Sequence, residues 1–130
     1  MKIFLDTANI EDIRKYNDMG LLDGITTNPS LLAKEGGDPH AAMEEITRII
    51  KGDVSLEVVS TDYDGMIEEG KKLREYGDHV VVKCPMTGDG LKACKSFSAA
   101  SRAIFTVIPV AAIVQSFPSL SVIPFPISNS

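Results

Sequence analysis

At 130 residues, 44% hydrophobic and 24% charged, the chain has globular composition and the size of one ordinary domain, long enough to bury a core. A formal net charge of −5 with no cluster of Lys and Arg argues against a nucleic-acid surface, which needs concentrated positive charge to displace counterions. Cys84 and Cys94 form no CxxC pair, and His40 and His79 lack metal-ligand spacing, so neither a redox pair nor a metal site is expected.

The opening Met1-Lys2-Ile3-Phe4-Leu5-Asp6 lacks the apolar stretch of a signal peptide, which makes the cytoplasm the expected compartment. From residue 1 to 95, short β-like runs alternate with longer amphipathic stretches, the pattern of βα units around a parallel sheet. Lys2 to Asp6 reads as the first strand, followed by a helix with Ile10, Ile13 and Tyr16 on one side that ends near Gly20. Leu22 to Thr26 is the second strand, and Asn28-Pro29-Ser30 then turns into a short helix. Past Gly36-Gly37, Pro39 suits the first turn of a longer helix with Met43, Ile46, Ile49 and Ile50 on its inner face. The third strand, Val54 to Val59, leads through Ser60-Thr61-Asp62 into a helix through Met66, Ile67 and Leu73. In that helix Glu68-Glu69-Gly70-Lys71-Lys72 reads as a solvated face with paired charges. Val80 to Lys83 is the fourth strand, and its helix begins after Thr87 and continues through Leu91 and Ala93.

The composition changes sharply after Lys95. From Ser96 to Ser130 the only charged residue is Arg102, whereas all 18 acidic residues precede it, and Pro109, Pro118, Pro124 and Pro126 fall there. The run from Ile104 to Val114 suits a buried strand or a short helix, and it is shorter than the roughly 20 apolar residues that span a bilayer. No membrane span is expected. The chain therefore divides into residues 1–95, four βα units, and residues 96–130, an apolar tail rich in proline and serine.

In a parallel βα architecture, chemistry gathers at the carboxyl ends of the strands, where loops leave room for side chains that the packed layers exclude. The candidates fall at those ends. Lys83 closes the apolar run His79-Val80-Val81-Val82, where desolvation penalises an ammonium and favours the neutral amine that attacks carbonyls; the bland alternative is a lysine that snorkels to solvent. Asp6 ends the first strand and competes with a plain helix-capping role, which Thr7 or Asn9 can also fill. Thr26, Thr27 and Asn28 end the second strand, where turn chemistry around Pro29 is the alternative. Glu57 sits inside Val54-Ser55-Leu56-Glu57-Val58-Val59, and a carboxylate in such company must be paired, hydrogen-bonded or protonated unless the strand is a solvated edge. Cys84 follows Lys83 but points to the opposite face, as a small buried thiol would.

Phe4-Leu5-Asp6-Thr7-Ala8-Asn9, Gly24-Ile25-Thr26-Thr27-Asn28-Pro29-Ser30-Leu31 and the stretch from Val80 through Lys83-Cys84-Pro85-Met86-Thr87-Gly88-Asp89-Gly90-Leu91 together resemble the small transaldolase and fructose-6-phosphate aldolase family. The resemblance runs through residues 1 to about 95 and implies the first half of a (β/α)8 TIM barrel, with no metal or organic cofactor and an oligomeric assembly. Lys83 matches the family's Schiff-base lysine, Asp6 its proton-moving aspartate, and Asn28 with Thr26 the residues that hold substrate hydroxyls and orient the lysine. Glu57 matches a position that works through a water and is glutamate in transaldolases but glutamine in the aldolase branch. The resemblance thus implies transfer of a dihydroxyacetone unit between sugar phosphates, in the pentose phosphate pathway. The aldolase-type lyase is the near alternative.

Residues 96–130 show nothing of the family's fifth to eighth units, including an arginine that grips the substrate phosphate; neither Arg102 nor Asn129 has the right context. A full barrel needs roughly 200 residues or more, so about half is present. A reading frame slipped near residue 95 is one expectation for the break, and a natural half-barrel whose tail covers open sheet edges or dimerises is another. An inactive fragment and a non-catalytic interaction module follow as alternatives to an enzyme.

Overall fold

A computed structural model describes residues 1–100, 103–106 and 113–115, with side chains through Ser98. Strands β1 (Phe4–Asp6), β2 (Gly24–Thr26), β3 (Asp53–Glu57), β4 (Val80–Pro85), β5 (Ala103–Thr106) and β6 (Ile113–Gln115) lie in one sheet in that spatial order. Helices α1 (Ile10–Asp18), α2 (Pro29–Glu35), α3 (Pro39–Ile49), α4 (Tyr63–Arg74) and α5 (Gly88–Ala100) supply the crossovers. β1 through β5 pair in parallel, and β6 turns back antiparallel to β5. Consecutive parallel neighbours joined by helices are the progression of a partial (β/α)8 barrel.

The helices start where the sequence offers caps. Asn9, Asn28, Asp38 and Asp62 each accept a hydrogen bond from a backbone N–H one turn inside, and Pro29 and Pro39 occupy first-turn positions where no donor is lost. Asn9, not Asp6, caps α1, so Asp6 is free of the capping alternative.

Strand alternation divides the sheet's two faces. Ile25, Val54, Leu56, Val80, Val82 and Cys84 turn toward the helices and pack with Ile13, Met43, Ile46, Met66, Leu73 and Phe97 in one buried core. Each such side chain contributes roughly 1.5–3 kcal/mol of burial free energy, which makes this layer the main source of cohesion. The other face carries the polar strand residues.

The structure shifts several expected boundaries. β1 and β2 begin two residues later than the periodicity predicts; just before them the Asp23 N–H donates to the Ile3 carbonyl at 2.8 Å and the Ile3 N–H donates to the Asp23 carboxylate at 2.6 Å. β4 continues past Lys83 because β5 runs beside it, pairing Cys84 with Phe105 and Pro85 with Thr106. The run from 104 to 114, open between strand and helix in sequence, thus contributes strand at both ends, while residues 107–112 lie outside the described ones. The composition change after Lys95 falls inside α5.

The Glu68 to Lys72 segment is less solvated than its charges imply. Glu69 accepts the N–H groups of Val59 and Ser60, each at 2.9 Å, tying α4 to the end of β3, and Gly70 is buried against Phe97. Among the described residues, no helix is long and apolar enough to cross a membrane.

Candidate active site

Parallel register determines which side chains become neighbours. Asp6, Thr26, Ser55 and Val81 form one row across β1 to β4, and Glu57, Lys83 and Ile104 are aligned two residues further along β3, β4 and β5. Because side chains two apart share a face, Asp6, Thr26, Ser55, Glu57 and Lys83 all belong to the face turned away from the helices.

Lys83 is 5% exposed, so it does not snorkel. Its Nζ lies 2.9 Å from Glu57 Oε2 and donates to the Thr27 carbonyl at 3.4 Å. Glu57 is neither an edge residue nor unpaired, since β3 lies between β2 and β4 and the carboxylate holds the lysine. One strand pair therefore places a buried amine and a carboxylate within hydrogen-bonding distance of each other.

A second pair lies on the first row. Thr26 Oγ1 donates to Asp6 Oδ1 at 2.9 Å, at the exposed rim of the sheet. Asn28 sits at the start of α2, where its Oδ1 accepts from the Leu31 N–H at 2.9 Å. The turn-chemistry alternative therefore holds for the Asn28 carbonyl oxygen. The capping bond fixes the orientation of the amide, whose Nδ2 donors are a separate resource.

Cys84 lies on the opposite face with none of its surface exposed. Burial, and secondarily the Glu57 carboxylate, pushes its thiol up to about 11, while burial and the neighbouring Cys84 push Cys94 to about 12. Both are core thiols without nucleophilic character at neutral pH. His79 is bonded to the Thr47 carbonyl and His40 to the Tyr76 hydroxyl, and among the described residues no cluster could hold a metal ion.

Sequence reasoning passed over two participants. The Thr27 carbonyl that holds Lys83 is a backbone atom, invisible to residue-type arguments. Ser55 has a buried hydroxyl with no hydrogen-bond partner among the described residues, and only its position two before Glu57 hinted at a shared face. Arg102, the one cation of the tail, lies outside the described residues.

A sheet of parallel strands joined by helices, with an amine, carboxylates and hydroxyls brought together at the strands' carboxyl ends, defines a βα-barrel protein with a rim site. The sequence model of the family described as Transaldolase/Fructose-6-phosphate aldolase matches residues 3–105. The chain belongs to that family, and the described part is a partial TIM barrel of its kind. It is 79% identical over 98 residues to a probable transaldolase of Nitrosopumilus maritimus, a match covering 75% of this chain and 44% of that protein. A probable transaldolase of Shouchella clausii is 56% identical over 98 residues, covering 75% and 45%, and one of Halalkalibacterium halodurans is 57% identical over 97 residues, covering 75% and 46%. The chain spans less than half the length of these curated relatives.

Proposed function

We propose that this chain carries the Schiff-base portion of a transaldolase site, which moves a dihydroxyacetone unit between sugar phosphates. The observation that carries the reading is the Lys83 amine, buried on the polar face and 2.9 Å from Glu57. The free amine of Lys83 attacks C2 of a ketose phosphate, Glu57 acts through a water that passes the protons of addition and dehydration, and loss of water leaves a protonated imine. Asp6 takes the proton of the C4 hydroxyl as the C3 to C4 bond breaks, and the bonding electrons flow into the imine to give an enamine on Lys83. Addition of that enamine to an aldose phosphate reverses the sequence. Thr26 and Asn28 orient substrate hydroxyls. No metal or organic cofactor enters these steps.

Glutamate at position 57 favours transfer over the aldolase-type lyase, in accord with the relatives' names. Product analysis separates the two, since the lyase releases free dihydroxyacetone. The proposal includes a cytoplasmic location, a place in the pentose phosphate pathway and a homo-oligomeric assembly. The composition break after Lys95 supports a tail of separate origin past the family match, which runs to residue 105. The gene's nucleotide sequence tests this, and failure to recover barrel-like βα sequence on shifting frame near codon 95 overturns it.

Borohydride reduction in the presence of fructose 6-phosphate tests the central claim. A mass gain on Lys83 supports it, and an unmodified Lys83 sinks it. One observation favours a second reading: among the described residues β1, which carries Asp6, is a terminal strand of the sheet, as in a non-catalytic module that seeks a partner strand. Absence of trapping together with a stable hetero-complex supports that reading.

A further inference from the structure

Glu57 is the last residue of β3, and the chain just beyond it is not held by burial. The Val58 N–H donates to the Lys83 carbonyl at 3.1 Å, which carries the ladder one residue past the paired Glu57 and Lys83. Val59 then leaves the sheet 68% exposed, so side-chain packing does not fix the strand exit there. A carboxylate does. Glu69, reaching back from the middle of α4, accepts the Val59 N–H on Oε1 and the Ser60 N–H on Oε2, each at 2.9 Å. Hydrogen bonds to an ionised acceptor are about twice as strong as neutral ones. Lys71 and Lys72 follow within one turn, yet no ion pair among the described residues includes Glu69. A turn earlier on α4, a Cβ at Gly65 would stand 3.0 Å from Ser60 Cβ and 2.9 Å from Asp62 Oδ1, so the bare backbone lets the loop lie on the helix.

We propose that Glu69 is a positioning residue for the chemistry at Lys83: by clamping two successive N–H groups it fixes the exit of β3, and with it the placement of the Glu57 carboxylate against the amine. The proposal rests on the reading of Lys83 as a carbonyl nucleophile. Glu69 touches no reacting atom. It acts through the backbone, because residues 58, 59 and 60 are each bonded through their N–H to β4 or α4, and Glu57 is the next residue back along the chain. Such placement has kinetic weight, since a misplacement of about 1 Å can cost about 100-fold in rate.

The test takes two readouts on the full chain: amide exchange at Val59 and Ser60 by NMR, and the rate at which cyanoborohydride traps fructose 6-phosphate on Lys83 by mass. Glu69→Met keeps the length and helix propensity of the side chain but removes both acceptors, whereas Glu69→Gln keeps one carbonyl oxygen. Gly70→Ala is the control, since it disturbs the packing of α4 on Phe97 and leaves the clamp in place. Glu69→Met is expected to free both amides and slow trapping at least about tenfold. Glu69→Gln is expected to fall between it and the wild type in both readouts. Gly70→Ala is expected to lose stability yet keep both amides protected and trap at the wild-type rate. Glu69 variants that free the amides and still trap at the wild-type rate overturn the proposal and leave the Lys83 reading intact. Equal slowing in Gly70→Ala also overturns it, because the loss is then one of general stability. If Glu69→Met does not fold, Glu69→Gln decides by the same comparison of exchange with trapping. A wild type that traps no ketose defeats the Lys83 reading and this one with it.

Discussion

Glu57 and Lys83 are register partners on adjacent parallel strands, and their charged ends meet at 2.9 Å with side-chain exposures of 15% and 6%. The sheet ladder fixes this pairing, since slipping β3 by one residue would send Glu57 into the helix-facing core.

Removing one member of such a pair leaves a buried charge. Glu57→Ala strands the Lys83 ammonium with only the Thr27 carbonyl, and about 3 kcal/mol of stability is expected to be lost in urea unfolding. Lys83→Met with Glu57→Leu replaces both charges by apolar groups and is expected to return to within about 1 kcal/mol of wild type, with ketose trapping abolished. A single variant as stable as the double would show that the charges are solvated.

Asn28 serves two purposes that substitution can separate. Asn28→Ala removes the cap on α2 and is expected to cost about 1 kcal/mol, whereas Asn28→Ser keeps a capping oxygen and most of that stability. Both lose the amide donors, so both are expected to slow Schiff-base formation by a similar factor. Turnover that tracks stability instead would confine Asn28 to capping.

The two core thiols make the fold alkali-sensitive. Their folded values, about 11 for Cys84 and about 12 for Cys94, lie above the ordinary value of 9.0. Below that ordinary value both states are protonated and the contribution is fully present. Above it the unfolded chain releases protons that the folded chain keeps, so stability falls as pH rises toward the folded values. Urea midpoints of the wild type are expected to drop more between about pH 8 and about pH 10.5 than those of Cys84→Ala/Cys94→Ala. At neutral pH neither thiol is expected to react with a disulfide reagent until the chain unfolds.

Gly70 is a contact point between α4 and α5. A Cβ there would lie 2.2 Å from Phe97 Cζ, so Gly70→Ala is expected to destabilise by about 1–3 kcal/mol despite alanine's better helix propensity. Adding Phe97→Leu is expected to recover part of the loss. An unchanged or raised melting temperature in the single variant would mean that α5 shifts freely against α4.

Much of the fold was legible because the signals are local. Strand runs of β-branched residues, caps such as Asp62 and Asn9, and prolines at first-turn positions act within a few residues of themselves. The bland reading of Glu68 to Lys72 held only in part, because the carboxylate of Glu69 turned to the backbone of residues ten and nine positions away.

The linear order of residues by itself determined the βα rhythm, the strand ends at which Asp6, Thr26, Glu57 and Lys83 fall, and the family to which the motifs point, since each depends on local pattern. Only the tertiary structure decided that Lys83 is buried rather than snorkelled, that Glu57 is its partner, and that the hydroxyl of Ser55 is left unbonded among the described residues. Those facts depend on which strands become neighbours and in what register. Register is set by burying Ile25, Val54, Leu56 and Val82 together under the helices, a collective choice that no single stretch of chain encodes.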